Sequence, residues 1–148
     1  MAFRLAVAAD LVDVRSCVNA AYSRHLPRID STPAPMSADY ASLIDRGHVH
    51  LLEEQGALIG VLVAFEHVDD FFVENVAVRP ERQGEGHGRA LLDHAATLAR
   101  RAGRERMRLY TNVAMTENLA MYPALGWQET HRVREDGFGR VYFEKMVT

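Results

Sequence analysis

The feature that most constrains the fold of this chain is an apolar stretch that passes through a glycine-rich loop into an amphipathic helix. The apolar stretch ends at residues 76–78, and the loop carries Gly84, Gly86 and Gly88 at alternate positions. Glycine lets the backbone turn tightly and bring several N–H groups toward one ligand, while the following helix adds the positive end of its dipole. The segment therefore predicts a strand, a loop and a helix that together bind a phosphate or another anion.

Periodicity along the rest of the chain predicts an α/β fold of the α+β type. Apolar residues that alternate or run together indicate strands, and apolar residues three and four positions apart indicate helices. We expect strands at residues 3–6, 48–53, 57–66, 71–78, 107–113, 127–134 and 141–147, and helices after Asp10, at residues 39–46, after the glycine loop and at residues 116–125. The predicted order is β-α-α-β-β-β-α-β-α-β-β, a mixed central sheet of about seven strands flanked by about four helices.

Turn residues separate these elements. A Gln-Gly pair at residues 55–56 and an Asp-Gly pair at residues 136–137 predict tight hairpin turns between strands. Gly103 is placed to end the long helix, and Gly60 weakens the strand in which it lies. Residues 26–39 contain three prolines with serines and a threonine between them, which favours a loop over regular structure.

Composition narrows the number of domains and the kinds of partner. With 148 residues, 48% of them hydrophobic, the chain can bury its own core, and we expect a single domain over residues 1–148. A formal net charge of −3 disfavours nucleic-acid binding, which normally uses a strongly basic surface. No apolar run approaches the ~20 residues that span a bilayer, so we expect no membrane partner. Because Cys17 is the only cysteine, no intramolecular disulfide can form, and the cytoplasm is the expected location.

Two nucleotide-binding patterns fit the glycine loop poorly. A P-loop requires Lys followed by Ser or Thr after its last glycine, whereas Arg89 and Ala90 follow Gly88 here. A dinucleotide fingerprint requires glycines spaced as G-x-G-x-x-G at the first strand–helix turn, and this loop comes after several strands with a different spacing. A dinucleotide-dependent redox protein is therefore disfavoured.

Two separate motifs resemble the Gcn5-related N-acetyltransferase (GNAT) family. Gln83 to Gly88 resembles the family signature Gln/Arg-x-x-Gly-x-Gly/Ala, and Pro80 precedes it at the usual place. Residues 122–127, Tyr-Pro-Ala-Leu-Gly-Trp, resemble the tyrosine and glycine-aromatic segment that closes the family's acyl-CoA site. The order of predicted elements also matches from residue 3 to residue 147. The resemblance implies a GNAT fold and an acetyl-CoA-dependent N-acetyltransferase that moves acetyl directly to a primary amine in a ternary complex.

The resemblance also implies where acetyl-CoA, the donor substrate, binds. Its pyrophosphate would lie on backbone N–H groups at the start of the long helix, and its pantetheine arm would pair like an added strand with the strand before the loop. The implied cofactor-binding residues are Val76, Ala77, Val78, Arg82, Gln83, Gly84, Glu85, Gly86, His87, Gly88, Arg89 and Asn118. The arginines have solvated surface positions as an alternative, and Asn118 has a helix-start role as its alternative.

Tyr122 is the predicted catalytic acid. Acetyl transfer leaves a thiolate that needs a proton, and a phenol supplies one without a metal. Tyr122 lies four residues before Gly126, as the family's tyrosine does. The alternative is a helix tyrosine anchored in the core.

Glu74 is the predicted general base that removes a proton from the amine, directly or through a water. Strand alternation places residues 72, 74, 76 and 78 on one face, and apolar neighbours there would raise the pKa of the Glu74 carboxyl. The alternative is a salt-bridged or edge-exposed glutamate. Many members of the family deprotonate the amine through water without one dedicated residue.

The part of the site that binds the acetyl acceptor is less well defined by the sequence. The resemblance implies that residues 22–40 and 131–140 build it, and the acidic and aromatic groups of residues 33–40 could hold a cationic amine. A small amine or an amino acid is favoured over a protein acceptor, and a homodimer is common in the family. We expect no metal, because the histidines form no recognisable ligand cluster. A non-catalytic acyl-CoA-binding sensor or scaffold is the alternative function.

Overall fold

A computed structural model describes residues 1–23 and 34–147 of the chain. Its strands are β1 (Ala2–Leu5), β2 (Val49–Glu54), β3 (Ala57–Glu66), β4 (Phe71–Val78), β5 (Arg106–Asn112), β6 (Gln128–Glu135) and β7 (Phe138–Met146). Its helices are α1 (Leu11–Ser23), α2 (Ala34–Ser37), α3 (Tyr40–Asp45), α4 (His87–Arg101) and α5 (Thr116–Ala124). The predicted α/β fold, with a mixed sheet of seven strands, is confirmed.

The seven strands form one sheet in the order β1-β2-β3-β4-β5-β7-β6. Neighbouring strands are antiparallel except β4 and β5, which are parallel because α4 crosses between them. Helix α4 packs on one face of the sheet and α1 with α3 on the other. Each face buries its own core, represented by Leu62 and Leu91 under α4 and by Val18 and Val61 under α1.

Gly60 allows α4 to approach the sheet closely. A Cβ at this position would lie 2.9 Å from Leu91 Cδ1 and 3.0 Å from the carbonyl oxygen of Ala77. Both separations are too short for ordinary packing, so a larger residue would displace the helix or the neighbouring strand. The residue that was expected only to weaken β3 therefore sets the distance between the sheet and α4.

The described structure has five helices rather than about four. The additional one-turn helix α2 falls within residues 26–39, where the prolines favoured a loop, and residues 24–33 lie outside the described part of the chain. Pro35 is compatible with this turn because the first N–H groups of a helix need no intrahelical partner. The Tyr40 hydroxyl donates a hydrogen bond to the Pro35 carbonyl and holds the turn against α3.

Strand and helix ends lie close to their predicted positions. Asp39 caps α3 by accepting a hydrogen bond from the Ser42 N–H at 3.1 Å, so the predicted helix at residues 39–46 includes both of its caps. The hairpin turns at residues 55–56 and 136–137 have positive φ at both positions, as the predicted Gln-Gly and Asp-Gly turns require.

β4 contains a bulge at Glu74. Val63 of β3 pairs with Asn75 and the next residue, Ala64, pairs with Val73, so the register passes over Glu74. An extra residue in one strand reverses the side-chain alternation beyond it.

The bulge overturns the predicted common face of residues 72, 74, 76 and 78. Before the bulge, Val73 faces the core under α4, and Phe72 lies on the other face with its ring 5.9 Å from that of Tyr110. After the bulge, Val76 and Val78 pack against the α4 core. Strict period-two alternation fails here because one residue is inserted into the ladder.

β4 and β5 separate immediately after the bulge begins. Residues 71–73 pair with residues 107–109, and the register of the two strands ends there in the described structure. β5 continues beside β7 to Asn112, whereas β4 continues beside β3 to Val78. The divergence opens a cleft in the middle of the sheet.

Candidate functional site

Two connected cavities occupy this cleft. The large cavity has a volume of about 310 Å³ and lies between the end of β4, the glycine loop, the start of α4 and one side of α5. The small cavity has a volume of about 50 Å³ and lies between β4, β5, α5 and the β6–β7 hairpin. Tyr22, Val76, Asn118 and Tyr122 line both cavities, so the two volumes share a wall at these residues.

The structure brings most of the predicted cofactor-binding residues to the large cavity. Its lining includes Val76, Ala77, Val78, Gln83, Gly84, Gly88, Arg89 and Asn118. Beyond residue 73 the edge of β4 that faces this cavity has no β5 partner in the described register. An extended ligand could therefore take hydrogen bonds from this strand edge.

The glycine loop presents backbone amides rather than side chains. Gly84 and Gly86 have φ of 82° and 87°, values that side-chain-bearing residues adopt only at a cost. The first intrahelical hydrogen bond of α4 runs from the Ala90 N–H to the Gly86 carbonyl at 3.0 Å, and Gly86 supplies no side-chain cap. The N–H groups of Gly88 and Arg89 lie before that bond at the positive end of the helix dipole, which suits an anionic ligand.

Three of the predicted binding residues direct their side chains elsewhere. Arg82 forms ion pairs with Glu85 at 2.9 Å and with Glu54 at 3.3 Å. His87 is buried and its Nε2 lies 3.0 Å from Glu85 Oε1. The hydrogen bonds from Arg82 and His87 lower the pKa of Glu85. Arg89, by contrast, lines the large cavity, so the two arginines differ in their access to a ligand.

Gln83 ties the glycine loop to β4. Its side-chain Nε2 donates a hydrogen bond of 3.0 Å to the carbonyl oxygen of Val78. This contact spans the turn between strand and loop, so it fixes the first loop amides relative to the end of β4.

Tyr122 stands where the two cavities meet. Its ring packs 5.4 Å from the Phe143 ring and 6.0 Å from the Trp127 ring, centre to centre. The hydroxyl makes no hydrogen bond to any residue that the structure describes, and burial raises the pKa of Tyr122 to about 12. The hydroxyl is therefore protonated throughout the neutral range.

Glu74 lines the small cavity from the bulge in β4. Its side chain is half-buried, and this burial raises the pKa of the carboxyl above its usual range. A carboxylate in such a position binds a proton more readily than one in water. Glu74 and Tyr122 thus place a basic and an acidic group on the same small cavity.

Asn118 is anchored to β5. Its Nδ2 donates a hydrogen bond of 3.1 Å to Thr111 Oγ1, and α5 begins after Met115 with no side-chain cap. Asn118 is the third residue of α5, so it does lie at the start of the helix, although its side chain reaches β5 rather than capping a backbone N–H. Its amide lines both cavities one helical turn before Tyr122.

Asn75 is a site residue that the sequence pattern missed. Tyr22 at the end of α1 donates a hydrogen bond of 2.7 Å to Asn75 Oδ1, and Asn75 Nδ2 donates one of 3.1 Å to the Tyr40 hydroxyl. Asn75 therefore joins both ends of the expected acceptor segment to the strand that carries Glu74. The one signal in the sequence that could have identified Asn75 was an amide residue within a largely apolar strand.

The β6–β7 hairpin contributes Arg140 to the small cavity. The guanidinium carbon of Arg140 lies 4.3 Å from the centre of the Tyr110 ring, and its Nη1 donates to Glu135 at 3.2 Å and to Asp136 at 3.3 Å. Phe138 and Arg140 thus bring one end of the predicted acceptor segment 131–140 to the cleft. In the other predicted acceptor segment, residues 22–40, residues 24–33 lie outside the described part of the chain.

Within residues 1–23 and 34–147 no cluster of three or more His, Cys, Asp or Glu side chains could hold a metal ion. No helix in the same ranges is long and apolar enough to cross a bilayer.

Comparison with known families assigns this arrangement to a class of protein. The sequence profile of the acetyltransferase (GNAT) family matches residues 14–127. That span includes the glycine loop, β4 with its bulge, and the segment from Tyr122 to Trp127. The chain belongs to the GNAT family of acetyltransferases.

Solved structures of acetyltransferases share the fold of this chain. The PaiA N-acetyltransferase of Thermoplasma acidophilum, in complex with coenzyme A, has a TM-score of 0.83 at 17% identity, with 98% of each chain covered. YncA of Salmonella typhimurium, with its cofactor acetyl-CoA, has a TM-score of 0.73 at 20% identity, covering 100% of this chain and 94% of that one. The IAA acetyltransferase of Bacillus cereus has a TM-score of 0.72 at 20% identity, with 98% of each chain covered. A search of curated protein sequences finds no match.

Family membership confirms the main biochemical prediction. The protein is an acyltransferase of the acetyltransferase class, with acetyl-CoA as the donor of this family. The roles of individual residues and the nature of the acceptor remain predictions.

Proposed function

We propose that this protein transfers acetyl from acetyl-CoA directly to a primary amine while both substrates are bound. The observation that carries the proposal is the cleft between β4 and β5, whose large and small cavities meet at Tyr122. Two substrates in these cavities would place a thioester and an amine on opposite sides of one shared wall. A direct transfer needs this proximity and no covalent enzyme intermediate.

The donor would bind mainly to the main chain. The pyrophosphate would lie on the amides of Gly84 to Arg89 at the start of α4, where the dipole favours negative charge. The pantetheine arm would follow the edge of β4 along Val76, Ala77 and Val78 in the place that β5 leaves open. Asn118, anchored on Thr111, would contact the arm near the reacting end.

The chemistry would use two side chains: Glu74, which lines the small cavity, and Tyr122, which lines both cavities. Glu74, directly or through a water, would accept a proton from the ammonium form of the acceptor, and the amine nitrogen would attack the thioester carbonyl carbon. A backbone N–H near Val76 would donate to the carbonyl oxygen as its negative charge develops. When the carbon–sulfur bond breaks, Tyr122 would give its proton to the departing thiolate, which leaves as CoA. The second proton of the amine nitrogen, released as the amide forms, would return to the Tyr122 oxygen directly or through a water.

The small cavity supports a small acceptor. Its volume of about 50 Å³ is enough for a head group of a few heavy atoms, because one water occupies roughly 10–15 Å³ on this measure. A small amine or an amino acid fits such a volume without opening the hairpin. A protein acceptor would need to present an extended chain to this narrow space.

Calorimetry and kinetics test the proposal in sequence. Titration with acetyl-CoA, CoA and NAD should show binding of the two CoA species alone, and failure to bind either would end the proposal. CoA release over a panel of primary amines should then identify turnover. With the best acceptor, initial rates at varied concentrations of both substrates should give intersecting double-reciprocal lines, whereas parallel lines would indicate an acetyl-enzyme and contradict direct transfer.

The proposal extends to the cellular location, the domain count and the oligomeric state of the protein. Cys17 lies on the buried face of α1, and a chain with one buried thiol suits the reducing cytoplasm. Both cores lie on the same sheet, which supports one domain across the described residues. A homodimer stays a prediction that sedimentation analysis can test.

A further inference from the structure

Arg140 lines the small cavity, and a cation is an unusual residue in a site proposed to bind an amine. Its side chain is only about a tenth exposed, and its guanidinium lies over the Tyr110 ring at 4.3 Å and within 5.5 Å of the centre of the Phe138 ring. The stacking holds the plane of the group, and the two bonds from Nη1 to Glu135 and Asp136 fix its rotation. Arg140 is therefore a buried cation with a defined orientation.

The opposite edge of this guanidinium remains available. In the part of the chain that the structure describes, no residue accepts a hydrogen bond from Arg140 Nε or Nη2. Nε and Nη2 form the fork that binds a carboxylate through two parallel hydrogen bonds. Because Arg140 lines the small cavity, an anionic group on a ligand there could reach the fork.

Glu74 lines the same cavity from another wall. Among the described residues no ion pair joins Glu74 to Arg140, although both side chains are at least half-buried. Tyr110 also lines this cavity and is affected by both charges: burial raises the pKa of its hydroxyl, Arg140 lowers it and Glu74 raises it. The small cavity therefore holds a carboxyl group and a guanidinium that no ion pair joins in the described structure.

We propose that the acceptor is an amino acid, that is, a small primary amine that carries a carboxylate, and that Arg140 selects it by binding that carboxylate. The inference rests on the proposed function, because it assigns Glu74 to the amine of the same molecule. It narrows the acceptor from any small amine to one with both charges. Tyr110 and Phe138 leave an apolar wall for the side chain.

Two acidic residues near Arg140 argue for a different ligand, a diamine. Asp136 is 80% exposed, so water screens most of its charge. Glu135 also accepts a hydrogen bond from the Tyr142 hydroxyl, so its charge is shared between two donors. Both acids contact Nη1 alone, on the side away from the fork. They orient Arg140 and do not fill its carboxylate-binding edge, which favours the amino acid over the diamine.

The test uses acceptors that differ only in the carboxylate. Amino acids and their decarboxylated amines, such as alanine with ethylamine and valine with isobutylamine, are compared by kcat/KM for CoA release, with putrescine included as a diamine. The wild-type protein should prefer the amino acid of a pair by roughly 30-fold or more, the effect of one charged bidentate pair. A series of glycine, β-alanine and γ-aminobutyrate would measure the spacing between the two charges.

Substitution of Arg140 separates recognition from folding. Arg140→Gln should remove most of the preference within each pair, mainly through KM for the amino acid, and Arg140→Lys should restore part of it. The affinity for acetyl-CoA and the melting temperature show whether the variant is folded. Arg132→Gln is the matched control, because Arg132 is an exposed arginine on β6 of the same hairpin that pairs with Glu129.

The possible outcomes decide between the claims. Equal kcat/KM for amino acids and matched amines, or a preference for putrescine, would overturn the selection by Arg140 and leave the proposed acetyl transfer intact. A preference for amino acids that survives in Arg140→Gln would also overturn the role of Arg140. Acetyl-CoA binding without transfer to any member of either series would overturn the inference, and absence of transfer across the wider panel of primary amines would overturn the proposed function as well.

Discussion

The two cavities share Tyr122 but are built in different ways. One side of the large cavity is a continuous stretch, from β4 through the glycine loop to α4, which offers mainly backbone N–H and C=O groups, and residues of α1 and α5 complete its lining. The small cavity collects side chains that are far apart in the chain, among them Tyr22, Glu74, Tyr110 and Arg140. A site made of main chain depends on local conformation, whereas a site made of side chains depends on the whole topology. This difference explains why the donor half is common to a family and the acceptor half can vary.

The largest expected effect falls on Tyr122, which lines both cavities. Tyr122→Phe removes the proton donor without removing the ring that packs on Phe143 and Trp127. We expect kcat to fall by roughly 100-fold to 1,000-fold, the usual contribution of a positioned acid. The affinity for acetyl-CoA, measured by calorimetry, should change by less than about twofold, since most donor contacts are made by the main chain. An unchanged kcat would remove Tyr122 from its role.

The next largest effect tests the small cavity alone. Glu74→Gln should lower kcat/KM for the acceptor by roughly 30-fold at neutral pH. In the wild-type protein the active form of Glu74 is ionised, and burial raises its pKa, so kcat/KM should rise with pH through a value above the ordinary range for glutamate. The variant should lack this rise. A pH profile of the same shape in both proteins would show that Glu74 is not the base.

A third change tests the large cavity at a glycine that alanine can replace without a steric clash or a strained backbone. Gly88 lies in α4, where a Cβ would meet no protein atom within 4 Å, and it lines the large cavity in which the donor is proposed to bind. Gly88→Ala should weaken acetyl-CoA binding about 10-fold while the protein keeps or gains stability, since alanine favours a helix. Gly103→Ala is the control: its φ of 74° makes it destabilising by about 1 kcal/mol with normal binding. If both variants bound acetyl-CoA normally, the donor would not bind at the start of α4.

The smallest effects compare two arginines of the glycine loop. Arg89→Gln should weaken acetyl-CoA binding roughly threefold to fivefold, more at low salt than at high salt, because its charge borders the large cavity. Arg82→Gln should change the affinity by less than about twofold, because Glu54 and Glu85 already hold the Arg82 guanidinium. Titrations at two ionic strengths measure both. A larger effect at Arg82 would mean that its ion pairs break when the donor binds.

Most of the proposed donor site could be predicted from the sequence. Positive φ at Gly84 and Gly86 and the uncapped start of α4 follow from alternate glycines before an amphipathic helix. The hairpin turns follow from Gln-Gly and Asp-Gly pairs in the same way. Such features depend on a few neighbouring residues, so local physical chemistry is enough to predict them.

The acceptor half could not be predicted to the same degree. The bulge at Glu74 depends on how β4 pairs with β3, and period-two reasoning placed residues 72 and 76 on one face when they lie on opposite ones. The contact between Arg140 and Tyr110 joins β7 to β5, and no local pattern encodes that neighbourhood. The ion pairs of Arg82 depend in part on Glu54, at the far end of another strand.

Hydrogen–deuterium exchange with acetyl-CoA present is the most direct test of a donor site built from main chain. The account predicts that saturating acetyl-CoA slows exchange at the amides of residues 76–78 and 84–89 and leaves the amides of the β6–β7 hairpin unchanged. Protection would be expected there because these N–H groups exchange solvent for the ligand. If calorimetry showed binding while exchange at both segments stayed the same, the donor would bind elsewhere and the central claim would be contradicted.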